Sequence, residues 1–128
     1  MNAKRAAKLI KIANYYGKER QVCKLMEELG EATSAASEVL QLLAFSEDGG
    51  KETDLERRLE HLASELADVA NVTEQILTLF ALEVEFKVAR QRGVDKTIAR
   101  IRKELDADLP CVDLSGAAGS GRDGARSC

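Results

Sequence analysis

The sequence has no tryptophan, one proline and one histidine, and its aromatic side chains stop at two tyrosines and three phenylalanines. With a single proline, long stretches keep every backbone donor and no helix is forced to break. The three cysteines, Cys23, Cys111 and Cys128, are odd in number and far apart, and His61 is distant from each. No Cys-x-x-Cys pair occurs. Neither a zinc site nor a disulfide framework is expected, and a reducing cytoplasm is the expected setting. No apolar run is long enough to span a bilayer and no leader-like segment opens the chain, so no membrane role is expected. Neither charge sign dominates. A net charge of −3 predicts no indiscriminate binding to nucleic acid.

What is present is mostly Ala, Leu, Glu, Lys and Arg, the composition of a helical protein. Residues 2–16 place Ala6, Leu9, Ile10, Ala13 and Tyr16 at three/four spacing, a short amphipathic helix that Gly17 would stop. A second helix is predicted from residue 19 to 45, with Val22, Leu25, Met26, Leu29, Ala32, Ala36, Val39, Leu40 and Leu43 as its core face. Residues 46–51 read as a loop, after which Thr53 or Asp54 would cap a third helix running to about residue 82. Its stripe is Leu55, Leu59, Leu62, Leu66, Val69, Thr73, Ile76, Leu77 and Phe80. A charged fourth helix over 83–105 would turn Val84, Val88, Ile98 and Ile101 inward and break or kink at Gly93. The prediction is one all-α domain over residues 1–105, a four-helix bundle. The Gly/Ser-rich segment that follows, 106–128, is expected to be a disordered tail.

One pattern occurs twice. Aligning Leu25 with Leu62 gives Leu-x-x-Glu-Leu-x-acid-apolar in both helices, and sets Glu28 on Glu65 and Glu31 on Asp68. These are the two i, i+3 acid pairs of the sequence. Residues three apart share a helix face. If the helices pack by their stripes, four carboxylates meet near one seam, where mutual repulsion and desolvation oppose them. A hard divalent cation, Mg²⁺ or Mn²⁺, removes both problems. The competing reading is ordinary solvated helix surface. Gly30, inside the second helix, marks either a close approach beside the acids or a tolerated loss of propensity. His61, one turn before Glu65, either borders the site or is plain surface.

Written out, Glu27-Glu28-Leu29-Gly30-Glu31 followed by Glu65-Leu66-Ala67-Asp68 resembles the E-E-x-x-E … E-x-x-D signature of the MazG-like all-α nucleoside triphosphate pyrophosphohydrolases. The likeness covers roughly residues 19–102 and is nearest to the compact phage and prophage members. It implies the all-α NTP pyrophosphatase type of bundle and a Mg²⁺-dependent enzyme cleaving a (d)NTP to (d)NMP and pyrophosphate. Metal ligands would be Glu28, Glu31, Glu65 and Asp68, with Glu27 orienting or deprotonating the water. Lys24, Lys87 and Arg90 would meet the substrate phosphates, and relatives are dimers or dimers of dimers. The gap between the motifs is longer than in most short members, and without Trp the base-stacking ring of some relatives has no counterpart. The alternative function is a catalytically silent helical oligomerisation module on the same scaffold. A di-iron bundle is disfavoured, because no Glu-x-x-His pair is present.

Overall fold

The computed structural model of the chain describes residues 2–45 and 52–108. The expected loop at 46–51, Leu109-Pro110, Cys111, Cys128 and most of the expected tail lie outside these residues. Three helices make up the described chain: α1 (Ala3–Phe45), α2 (Glu52–Phe80) and α3 (Glu83–Asp108). Apart from Asn2, Ala81 and Leu82, every described residue is in one of them, and no strand occurs among the described residues. The all-α expectation holds.

Asn2 caps α1. Its Oδ1 accepts from the Lys4 N–H at 3.0 Å, while its carbonyl accepts from Arg5 and Ala6. Gly17 interrupts α1 with φ 78° and ψ 174°. That region is essentially closed to residues with a Cβ. The stop expected there is real, and α1 consists of two arms, 3–16 and 18–45. The expected cap of α2 is corrected. The helix already starts at Glu52, so Thr53 and Asp54 sit inside its first turn, and Asp54 instead accepts from Arg57 at 3.1 Å. At its other end α2 stops at Phe80. Ala81 takes a positive φ of 53°, the Leu82 N–H reaches the Leu77 carbonyl at 2.9 Å, and the Ala81 N–H points back to Thr78. This is a Schellman closure with alanine where glycine is usual.

The helices that pack are α1 and α2. Going back along α1, Glu38 pairs with Arg58, and Lys18 lies over the Phe80 ring, 5.2 Å from its centre. Contacts climb α2 as they descend α1, so the second arm and α2 are antiparallel. The first arm returns along the C-terminal half of α2. Arg5 donates to Glu74 at 2.7 Å and to Asn71 at 2.8 Å, and Leu9 and Ala13 are buried.

The packed face is not the leucine stripe. On α1 the buried residues of the second arm are Gln21, Glu28, Ala32, Ala35 and Val39, a three/four seam of small and polar side chains. Met26, Leu40 and Leu43 are 70%, 61% and 66% exposed, and Val22, Leu29 and Ala36 are also exposed. This corrects the predicted core face, of which Ala32 and Val39 alone are buried. At about 100° per residue, the leucine stripe lies a quarter-turn or so to one side of the seam, and Arg20, Lys24, Glu27 and Glu31 lie on the other. The same holds on α2. Val72 and Gln75 are buried, whereas Leu59, Leu66 and Phe80 are exposed. Because the helices run antiparallel, both leucine edges fall on one broad side of the pair and the acids on the other.

The chain divides into two units, Met1–Lys87 and Val88–Cys128. No residue of α3 is buried. Val84, Val88, Ile98 and Ile101, expected to face inward, are exposed, so they form no core among the described residues. Gly93 does not break the helix. α3 runs through it and three residues into the expected tail, and Thr97 Oγ1 donates to the Gly93 carbonyl one turn back.

Candidate functional site

The acid echo meets where α1 and α2 cross the charged side of the seam. Oxygens of Glu28, Glu31 and Glu65 all lie within 4.8 Å of one another. Glu28 belongs to the buried heptad positions of α1 and is only 5% exposed. Glu31 sits on the shoulder facing solvent, and the half-buried Glu65 meets them from α2. Asp68, the fourth acid of the pattern, is not within that triad. It lines the same cavity as Glu28, one turn further along α2.

Electrostatics mark this as a strained place. The Glu31 carboxyl is held above the usual carboxylate range, first by lost hydration and then by the charge of Glu28 beside it. Lys24 offsets part of the negative charge. Its Nζ is 2.7 Å from Glu28 and 3.3 Å from Glu27, and these hydrogen bonds, Glu28's first, hold the ammonium well above its ordinary range. A second ring of charge flanks the triad. His61 Nε2 is 3.1 Å from Glu65 Oε1, and its Nδ1 is 3.9 Å from Glu38, which Arg58 also binds. His61 therefore borders the acids while remaining half exposed.

Next to the triad opens a cavity of about 470 Å³. Its wall carries Lys24, Glu27, Glu28 and Asp68 from the motifs, together with Arg20, Asn71 and the first-arm residues Ile12 and Tyr16. Gln21 and Gln75 complete its buried part. Such a volume is in the range of small-ligand pockets. Lys87 and Arg90 have a different setting. Both are exposed on α3, and Arg90 borders a shallow hollow on that helix with Gly93, Val94, Thr97 and Ile98. The basic group that accompanies Lys24 on the cavity wall is Arg20.

Gly30 leaves open space. A Cβ there would meet nothing within 4 Å, so no close backbone approach among the described residues explains it. Gln21, Gln75 and Arg20 were not singled out from the sequence, and Tyr16 was read only as part of the first helix's apolar face. A signal for the two glutamines exists: Gln21 precedes Glu28 by seven residues, and Gln75 follows Asp68 by seven. On antiparallel helices both steps run the same way, from the acids into the cavity.

The donor set suits a hard divalent ion, since all three clustered ligands are carboxylate oxygens and no thiolate or imidazole is among them. The arrangement can hold a cation against an anionic ligand that reaches into the cavity. No family model, curated protein or solved structure matches the chain.

Proposed function

We propose that this chain is a Mg²⁺- or Mn²⁺-dependent nucleoside triphosphate pyrophosphohydrolase, converting a (d)NTP to a (d)NMP and pyrophosphate. The observation that carries the reading is the carboxylate triad within 4.8 Å, whose Glu28 also lines a cavity that presents Asp68 and two cations. The E-E-x-x-E … E-x-x-D pattern supplies the same acids in the order the resemblance requires.

Glu28, Glu31 and Glu65, with Asp68 at their edge, would hold the metal. When bound, the metal supplies positive charge to the phosphate oxygens and to the departing pyrophosphate. The chain's own residues do the rest. Lys24, whose charge is now directed at Glu28 and Glu27, turns to phosphate when those acids are otherwise neutralised, and Arg20 adds a second fixed cation. Glu27 is on the cavity wall and more than half exposed, so it can hold a water and take its proton. The water oxygen bonds to the α-phosphorus, the bond from that phosphorus to the bridging oxygen breaks, and pyrophosphate leaves. Glu38, Arg58 and His61 position Glu65 from behind.

The active form is a homo-oligomer, a dimer or tetramer, assembled on the leucine side of α1 and α2, and its four-helix bundle is made by two copies. Eight large side chains are exposed on that side: Val22, Met26, Leu29, Leu40, Leu43, Leu59, Leu66 and Phe80. Full burial of each contributes about 1.5–3 kcal/mol, so half of that for both copies is roughly 12–24 kcal/mol. The association cost is about 4–15 kcal/mol. The seven-residue steps from Val22 to Leu29 and from Leu59 to Leu66 suit helix-on-helix packing. Because the acids lie on the opposite side, assembly leaves the cavity reachable.

A pyrophosphate-release screen over canonical and damaged dNTPs and NTPs with Mg²⁺ and Mn²⁺ tests the reading. Metal-dependent release from at least one nucleotide is expected. No release from any of them, and no rise in melting temperature on adding either metal, leaves the silent assembly module as the better account.

A further inference from the structure

The inner end of the cavity holds a feature that hydrolysis of phosphates does not require. Gln21 is 2% exposed, and its Oε1 has no hydrogen-bond partner among the described residues. Gln75, 5% exposed, lines the same cavity from α2. An unpaired buried carbonyl oxygen weakens the fold, and proteins seldom keep one without a use.

The placement says what use. Seven residues of helix span about 10 Å, so each glutamine stands that far beyond the acid of its own helix. The separation is about that between the α-phosphate and the far edge of the base in a nucleotide. Ile12, Val72 and the Tyr16 ring border the same space with apolar and aromatic surface, suited to the flat faces of a ring. A glutamine amide offers one acceptor and two donors. Two of them on facing helices can match the mixed donor and acceptor edge of a heterocycle. The free Oε1 calls for an N–H on the ligand, either a ring imide or an exocyclic amine.

We infer that Gln21 and Gln75 form a base-recognition subsite, in which the Gln21 carbonyl accepts from an N–H on the edge of the nucleobase. The inference rests on the nucleotide reading above for the identity of the ligand as a nucleotide. It makes both residues specificity determinants and gives neither a part in the chemical step.

Binding measured without metal or turnover separates this from the hydrolysis reading. Calorimetric titration of the full chain with dAMP, dCMP, dGMP, dTMP and dUMP, against deoxyribose 5-phosphate as the base-free probe, should show at least a tenfold preference for one or more bases. Gln21→Leu and Gln75→Leu should each remove about tenfold of that preference while the sugar phosphate binds as before. If leucine disturbs folding, Gln21→Met keeps the side-chain length and removes the acceptor, with circular dichroism as the check. In turnover the variants should raise KM for the preferred nucleotide more than they lower kcat. The inference is overturned if the wild type shows no preference over deoxyribose 5-phosphate, or if folded variants keep it. A wild type that prefers a base but releases no pyrophosphate would retain the subsite and sink the enzyme.

Discussion

The two long sides of the α1–α2 pair are built on opposite terms. One borders the buried Gln21, Glu28 and Gln75 of the seam and gathers three carboxylates, while the other exposes Met26, Leu29, Leu40, Leu43, Leu59 and Leu66. For a chain judged on its own stability this is inverted, because burying charge opposes folding and exposing leucine forgoes its gain. The inversion makes sense if each side is completed from outside. On the function proposed above, a cation and ligand would complete the acid side, and a second copy the leucine side. Stability of the lone chain is therefore a poor guide to what either side is for.

The sharpest break of the comparison is on the acid side. Glu28→Ala and Asp68→Ala should each lower pyrophosphate release by at least about a hundredfold, the usual size for removing one electrostatic element of a reaction centre. The leucine side and the oligomer should be untouched, as light scattering would show. Equal rates in wild type and both variants would end the assignment. Glu31→Gln sharpens the same point. It removes the charge that Glu28 and lost hydration already disfavour, so the metal-free protein should melt higher, while the rise on adding Mg²⁺ should shrink. The sign agrees with the raised carboxyl of Glu31. The folded state holds that proton better than the unfolded chain does, so ionisation there opposes folding as pH climbs past the carboxylate range.

On the other side, Leu40→Glu with Leu43→Glu should leave a monomer at micromolar concentration and remove any dependence of melting temperature on concentration. Should the wild type itself scatter as a monomer there, the leucine face has no partner copy and the inversion loses half of its explanation.

The difference between the two sides also explains what could be read in advance. The acid pairs were legible because charge at i, i+3 in a repeated register is visible in one dimension, and Glu28, Glu31 and Glu65 do converge. The stop at Gly17 was legible for a similar reason, glycine being the residue that accepts φ 78°. The helix phase was not. Assigning the largest apolar side chains to the core put Met26, Leu40 and Leu43 inside, whereas the helices touch through Ala32, Ala35 and Val39, where small residues allow close approach. Which of two apolar stripes faces its own chain is decided by the neighbouring helix, and one sequence holds no record of that. The same limit applies to α3. Val84, Val88, Ile98 and Ile101 form a sound amphipathic pattern, yet they are exposed here.

A smaller change reaches the acid side through the backbone alone. Gly17→Ala would place a Cβ on a residue at φ 78° and ψ 174°, costing about 1–3 kcal/mol although no neighbour is in the way. The first arm brings Ile12 and Tyr16 to the cavity, so chemical denaturation should show the loss and nucleotide affinity should fall with it. Oligomer size should not change, which distinguishes this variant from the leucine pair.

The smallest expected effect has the more informative sign. Gly30 is exposed mid-helix, follows Leu29 of the leucine stripe and precedes Glu31 of the triad, and beyond its own helix turn a Cβ there meets none of the described residues within 4 Å. Helix propensity alone makes Gly30→Ala stabilising by about 1 kcal/mol. That gain should appear in a monomeric Leu40→Glu, Leu43→Glu background, where only the chain itself is tested. In the oligomer the same substitution reports on the second copy. A retained gain means that the partner's helices stay clear of this turn. A loss of oligomer stability, read from the concentration at which it dissociates, means that a partner backbone closes against Gly30 and sets the leucine face and the acid face within one residue of each other.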